Sequence, residues 1–356
     1  MQHYFQSRNL MEQASRLPDW EQRYDQLSCG NVEGSLWLTE LGGLRLFRET
    51  LNQSVVQRIR LPKDNFTVLL RLAWPKTKYI EETPDSELSL LPTQDDFYIV
   101  TPAGMDIICL SIPCNEFTHL LDEEVFSRCR STLADKHLMF PSQLVFARQA
   151  LLGLLDMAQR SHQTQDWQII FKQRAINTVA SLLEDLDRNN HYFPTLSTRQ
   201  YIVRRSHELL MNDPTAVLMV SDLCQRLKVS RRTLQYSFQT VTGVTPIHYL
   251  RSIRLNAARR ALLHSPEQKV GEIAAQWGFE HSSYFTRSYQ KLFAEKPSHG
   301  RHGYPKLASS SPEGEAPTTG HLFPRDKRYV DPSAVRSKSI QLEAKSRIKP
   351  TTLSTR

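Results

Sequence analysis

The sequence predicts an α+β chain. A β-rich N-terminal domain with following helices precedes an all-α C-terminal domain, which holds two helix-turn-helix units joined by a long linker helix. Three observations carry this. Between residues 35 and 112 the chain runs in short segments of alternating polarity broken by turn residues, the pattern of a small antiparallel barrel or sandwich. After Pro113 the apolar period lengthens to i, i+3, i+4. Between Val220 and Pro297 one pattern is written twice.

Trp20 to Leu27 reads as a short helix, with Trp20, Tyr24 and Leu27 on one face and Ser28-Cys29-Gly30 ending it. Strands follow at 35–39, 44–48, 55–59, 67–71, 97–100 and 106–112. Asn115 to Leu121 reads as a helix, and Leu144–Arg160 and Trp167–Asp187 as stronger ones. Leu151, Leu154 and Leu155 stripe the first of these, and Ile176, Val179, Leu183 and Leu186 the second. Part of that helical surface is expected to pair with a second copy of the chain. Asn189 to Ser197 breaks the period and reads as a linker.

The C-terminal helices are drawn from caps and stripes. The first runs Gln200–Met211 and is stopped by Asn212-Asp213-Pro214. Val220–Leu227 follows, with Ser221 as its N-cap, then Ser230–Val241 with Ser230 as cap and Gly243 at the end. Thr245-Pro246 is a capping hydroxyl followed by Pro at the first helical position, and starts a helix that Ser265-Pro266 ends. Val270–Trp277 and Ser282–Phe293 repeat the earlier pair. Leu223 matches Ile273, Leu227 matches Trp277, Leu234 matches Phe285 and Phe238 matches Tyr289. The offset is 50 before the turn and 51 after it. The connecting helix, at about 1.5 Å per residue, is roughly 30 Å long. Successive major grooves on one face of B-DNA lie about 34 Å apart, so the pair is built to address two adjacent groove segments.

Charge agrees with this division. Residues 1–199 hold 20 Lys and Arg against 25 Asp and Glu, residues 200–298 hold 14 against 7, and residues 299–356 hold 11 against 5. A basic C-terminal half behind a mildly acidic front places a polyanion at the back. The five cysteines form no CxxC pair and read as reduced, mostly buried thiols. No apolar run reaches the ~18 residues of a membrane span and the N-terminus has no apolar signal core, so a cytoplasmic protein without membrane contact is expected. His3, His119, His137, His162 and His191 lack metal-ligand spacing, and neither Gly-x-Ser-x-Gly nor a phosphate loop occurs. Asp95-Asp96 and Asp122–Glu124 read as solvated turn and helix-start residues. No enzyme, metal or cofactor is expected.

Several motifs agree in order and spacing over about 95 residues: Ser-Arg-Arg-Thr-Leu-Gln-x-x-Phe at 230–238, Thr245-Pro246 with the helix from Tyr249 to Arg260, Ile-Ala-x-x-x-Gly-Phe at 273–279, and Tyr-Phe-x-Arg-x-Tyr-x-Lys-Leu-Phe at 284–293. Together they resemble the arabinose-regulator (AraC-type) transcription factors. Trp20…Tyr24-x-Gln-Leu27, Leu44-x-Leu-Phe47-Arg48 and residues 224–235 are similar to regulators of ethanolamine utilisation within that family. The resemblance implies a cupin-like barrel or sandwich in front and two helix-turn-helix motifs, at 220–241 and 270–292, behind. The implied domains are an effector-sensing and dimerisation domain at 1–195, a linker at 196–203 and a DNA-binding domain at 204–303; residues 304–356 depart from the family pattern and read by composition as a disordered basic tail.

Base reading needs side chains near the start of a recognition helix, opposite its buried stripe. Those are Arg231, Arg232, Gln235 and Tyr236 in the first copy, and His281, Ser282, Ser283 and Arg287 in the second, with Tyr284 divided between groove and core. Arg can grip guanine and Gln adenine. By resemblance, Arg232, Gln235, Ser283 and Arg287 fall on base-facing positions. Thr233, Lys228 and Lys269 are expected on phosphates. Double-stranded promoter DNA is the expected partner, with a small-molecule effector, RNA polymerase and a second copy as further ones.

Overall fold

The computed structural model describes residues 2–17, 19–62, 64–75, 87–91, 97–134, 143–160, 164–189, 198–212 and 218–299. The tail expected at 304–356, Asp95-Asp96 and residues 190–197 of the linker lie outside them. In chain order the strands are β1 Gln2–Ser7, β2 Glu21–Gln26, β3 Gly34–Leu41, β4 Leu44–Leu51, β5 Val55–Arg60, β6 Asn65–Ala73, β7 Leu88–Leu90, β8 Phe97–Thr101 and β9 Met105–Pro113. The helices are α1 Leu10–Ala14, α2 Glu123–Ala134, α3 Leu144–Arg160, α4 Gln165–Asn189, α5 Thr198–Asn212, α6 Val220–Leu227, α7 Arg231–Thr242, α8 Pro246–His264, α9 Val270–Gln276 and α10 Ser282–Phe293.

Two antiparallel sheets face each other, one ordered β1-β3-β4-β9-β6-β7 and the other β2-β5-β8. Side chains alternate along a strand, so each sheet presents two faces. In β4, Phe47 and Leu51 enter the core between the sheets, with Trp20, Tyr24, Val55 and Ile107. Leu44 and Leu46 point the other way, into a second core shared with Leu151, Leu154, Phe171 and Leu183 of α3 and α4. The smaller sheet is covered on its outer face as well. There Leu27 and Val56 join Ile202, Val203, Leu234, Phe238, Tyr249 and Ile253 from the C-terminal helices. The larger sheet and the smaller one are thus the two middle layers of four.

That layering explains the main departure from the sequence reading. Trp20 to Leu27 is not a helix: residues 21–26 are strand β2, paired antiparallel with β5. Trp20 and Tyr24 enter the core between the sheets, while Leu27 enters the opposite core. A strand buried on both faces does not alternate cleanly, and here its apolar residues fell at helical spacing. Asn115–Leu121 likewise forms only a 3-10 turn at Cys114–Phe117, followed by a turn in which the amides of Leu120 and Leu121 both bond to the Phe117 carbonyl. The acidic residues that follow open α2, with Glu123 and Glu124 in its first turn. α5 begins at Thr198, inside the span expected as linker. The N-cap of α6 is Met219 rather than Ser221, and the Asp222 carboxylate accepts from the Met219 amide at 2.8 Å. Ser221 stands one turn position too late to reach an orphan donor.

Candidate nucleic-acid interface

Helices α6 and α7 and helices α9 and α10 are built alike. In the first pair the amides of Lys228 and Val229 bond to the carbonyls of Gln225 and Cys224. In the second those of Gly278 and Phe279 bond to Ala275 and Ala274, 50 residues on. Lys228 and Gly278 occupy the same left-handed place, at φ 53° and 76°. Asp222 and Glu272 each accept from the backbone amide three residues before them. The inserted residue therefore follows the left-handed position, between Gly278 and α10.

The insertion changes how α7 and α10 start. Ser230 caps α7, its hydroxyl accepting from the Thr233 amide at 3.0 Å. His281 stands at the same place before α10 and makes no side-chain cap bond. Ser230→Ala is expected to lower unfolding stability by about 1 kcal/mol, while His281→Ala leaves it within about 0.5 kcal/mol; urea melts of the two variants measure the difference.

Both helices turn an aromatic and aliphatic stripe inward. Leu234 and Phe238 are fully buried, and the Phe238 ring meets Tyr249 of α8 edge-on at 5.0 Å. Phe285 and Tyr289 are fully buried in a separate core, with Ile273, Leu262 and Phe293. The opposite faces carry the residues expected to meet DNA. Arg231, Arg232, Thr233, Gln235 and Tyr236 on α7 are exposed, as are His281, Ser282, Ser283 and Arg287 around the start of α10. Lys228 and Lys269 are exposed at the helix ends.

The structure sorts these residues further. Ser282, Ser283 and Arg287 share one open stretch of the α10 surface with Thr286 and Gln290. Arg231 is separate from Arg232 and lines a groove with Met219, Ile247 and Arg254. The Tyr236 ring lies under the Arg199 guanidinium at 4.5 Å, which ties it to α5. Tyr284 is solvent-facing rather than core. Its hydroxyl accepts from Arg251 at 2.8 Å, and that hydrogen bond draws the phenol below its ordinary pKa.

Between the two faces runs α8, 19 residues long, or about 28 Å at 1.5 Å per residue. Thr245 caps it through its hydroxyl, with Pro246 in the first turn as expected. What the sequence did not reveal is how α8 meets the front of the chain. Asn256 is buried against Gln26, and Arg260 pairs with Asp25. Both lie on a helix that also carries Arg251, Arg254 and Arg259, so residue type alone does not mark them.

Residues 223–303 match the family described as "Helix-turn-helix domain". The HTH-type transcriptional regulator CdhR of Pseudomonas aeruginosa is 36% identical over 111 residues, covering 31% of this chain and 32% of that protein. The HTH-type transcriptional activator RhaR of Yersinia pseudotuberculosis is 28% identical over 163 residues, covering 42% and 54%. Among solved structures, an AraC-type regulator from Chromobacterium violaceum is 27% identical, covers 29% of this chain and 90% of its own, and superposes with a TM-score of 0.27. The matched segments thus span about a third to a half of the length of these curated relatives. Residues 223–303 of this chain thus match that helix-turn-helix family, and the C-terminal region is similar to the corresponding part of these regulators.

Proposed function

We propose that this chain is a sequence-specific transcriptional regulator whose two helix-turn-helix units read adjacent major-groove segments of promoter DNA. One observation carries the reading. Two helices with equivalent turns, α7 and α10, present exposed polar faces, Arg232 with Gln235 and Ser283 with Arg287, and one 19-residue helix joins the two pairs in the chain. A helix of that length suits the separation of neighbouring grooves. The roles divide unequally. Arg232 and Gln235 read bases, Arg287 reads from the second helix, Ser282, Ser283 and His281 hold the backbone, and Thr233, Lys228 and Lys269 meet phosphates.

In this reading residues 1–195 form a cupin-like sandwich that senses a small molecule in the cytoplasm, and 204–303 form the DNA-binding domain. Pairing with a second copy through α3 and α4 is supported by exposed Val145, Phe146, Ile169 and Ile170. RNA polymerase is the partner that a promoter-bound regulator would address. Among the described residues no helix is long and apolar enough to cross a membrane.

The test is selection of duplexes from a random pool by the full chain. The expected result is an enriched site with two specified segments about 10 base pairs apart. Enrichment of no sequence, or of a single short segment, would reject the reading.

A further inference from the structure

Strand β2 and the turn after it bond to both helix-turn-helix units at once. β2 lies at the edge of its sheet, paired on one side only, with β5. A free edge leaves backbone donors and acceptors without partners. Here Asn256 of α8 fills that place with its side-chain amide. The Gln26 amide donates to Asn256 Oδ1 at 2.9 Å, and Asn256 Nδ2 donates to the Gln26 carbonyl at 2.9 Å. One carboxamide thus stands in for a neighbouring strand.

The same short segment reaches the second unit. Gln26 Nε2 donates to the Leu292 carbonyl at 2.9 Å, and the Gly30 amide donates to that carbonyl at 3.0 Å. Leu292 is in the last turn of α10, where carbonyls lack helical partners. It reaches the first unit too: His248 Nε2 bonds to the Leu27 carbonyl at 2.8 Å, and Leu27 is packed in the α5–α8 core. Asp25 completes the contact. It is buried between Arg23 at 3.1 Å and Arg260 at 2.5 Å. Burial alone would raise its carboxyl, and the two guanidinium groups bring it down to about 2.

Outside the brace, Arg251 of α8, beside Leu250 and Ile253 of the first core, donates to the Tyr284 hydroxyl of α10. The cores of the two units are separate, one formed with Leu234 and Phe238 and the other with Phe285 and Tyr289, and α8 is the covalent link. A single helix between two small cores leaves bend and twist to the surroundings. We propose that Asp25 to Gly30 is a brace that fixes the orientation of the two helix-turn-helix units, so that the N-terminal domain sets which spacing of DNA segments the chain reads. Asn256, Arg260 and Gln26 are then positioning residues for DNA recognition, although none of them lies on a recognition face. The brace also has an inward end. Tyr24, next to Asp25 on the strand, donates from its hydroxyl to Glu49 in the core between the sheets at 3.1 Å. A change in that core moves the strand that holds α8.

This proposal rests on the DNA-reading function, and the test separates the two. Spin labels on unnatural amino acids at positions 225 and 276, one in each unit, report the inter-unit distance distribution of the full chain without DNA. The wild type is expected to give one narrow distribution. Asn256→Ala and, as the milder variant, Gln26→Leu are expected to broaden it. Arg48→Ala, which breaks the Arg48–Asp106 pair within the larger sheet, should not. On the selected duplex, inserting one base pair between the two segments is expected to weaken wild-type binding by at least about tenfold, the scale of a lost base-pair match, and the brace variants by less than about threefold. Unchanged distances in Gln26→Leu and in folded Asn256→Ala, or an unchanged insertion penalty, overturn the brace. A wild type that prefers no sequence overturns the DNA-reading function, while the distance measurement still decides the brace.

Discussion

Glu49→Gln is expected to make folding stability rise with pH between 4.5 and 6.5 relative to the wild type, and His207→Gln to make it fall over the same window. Both groups are buried without a full counter-charge, on opposite faces of the smaller sheet. Burial raises Glu49 from 4.5 to about 7, against hydrogen bonds from Gln13 and Tyr24 that pull it down; Cys109 is its other titratable neighbour. Its carboxyl stays protonated in the fold while the unfolded chain ionises above 4.5. Its contribution is therefore complete below 4.5 and is lost as pH rises toward 7. Burial lowers His207 from 6.5 to about 3, with Arg23, Arg58 and Arg260 lowering it further and Asp25 opposing. The ring is held neutral against Tyr98 at 4.5 Å and Tyr249, whose hydroxyl it meets at 2.8 Å. Its contribution is complete above 6.5 and is lost as pH falls toward 3.

The two windows overlap from 4.5 to 6.5, and there the slopes oppose. Each is about 1 kcal/mol per pH unit, since one proton is involved in each case. The wild type hides both, and each variant exposes the other group. Urea midpoints at pH 4.5, 5.5 and 6.5 measure this, taken as differences from wild type so that surface groups cancel. Parallel profiles for all three proteins would mean that neither group is held off its ordinary protonation.

Those two residues also mark where the sequence became unreadable. His207 is one histidine on an amphipathic helix, and Glu49 is one acid among alternating strand residues. Nothing local distinguishes a buried acid from a solvated one, because burial is decided by a sheet that arrives from elsewhere in the chain. β2 shows the same limit. Trp20, Tyr24 and Leu27 sit at helical spacing, and only the cores on both sides of the smaller sheet decide that residues 21–26 are extended. Helices α7 and α10 are legible for the opposite reason. Ser230, Thr245-Pro246 and Gly243 act within a few residues of themselves, and the stripes of Leu234 with Phe238 and Phe285 with Tyr289 follow from one helical period. The faces opposite those stripes had to be exposed once the stripes were buried. Ser221 failed as a cap because the helix starts one residue before it, and propensity alone does not resolve a shift of that size.

Arg232→Ala is expected to cost about 1–3 kcal/mol of binding free energy at one base pair of the selected site and to leave the other positions unchanged; Gln235→Ala should do the same at a neighbouring position. Both side chains are exposed on α7, three residues apart, opposite buried Leu234 and Phe238, and α7 is anchored by its Ser230 cap. A capped, packed helix holds such side chains in fixed register, so the loss should fall on particular bases rather than on affinity as a whole. Arg231 is the internal contrast. It lines the groove with Met219 and Ile247, so its replacement should weaken all sequences alike, as a phosphate contact does. Lys228→Ala and Lys269→Ala should behave likewise and reduce the slope of log affinity against log salt by about 0.9 each. Arg287→Ala should flatten one position in the second segment. The residues beside it, Ser282 and Ser283, are too short to reach far into a groove, so that segment should be specified by fewer base pairs than the first. Binding measured to every single-base variant of the selected duplex decides the matter. If Arg232→Ala lowers affinity equally on all of them, α7 holds the backbone and the specificity of this chain must come from the α10 face or from the shape of the DNA that the braced pair requires.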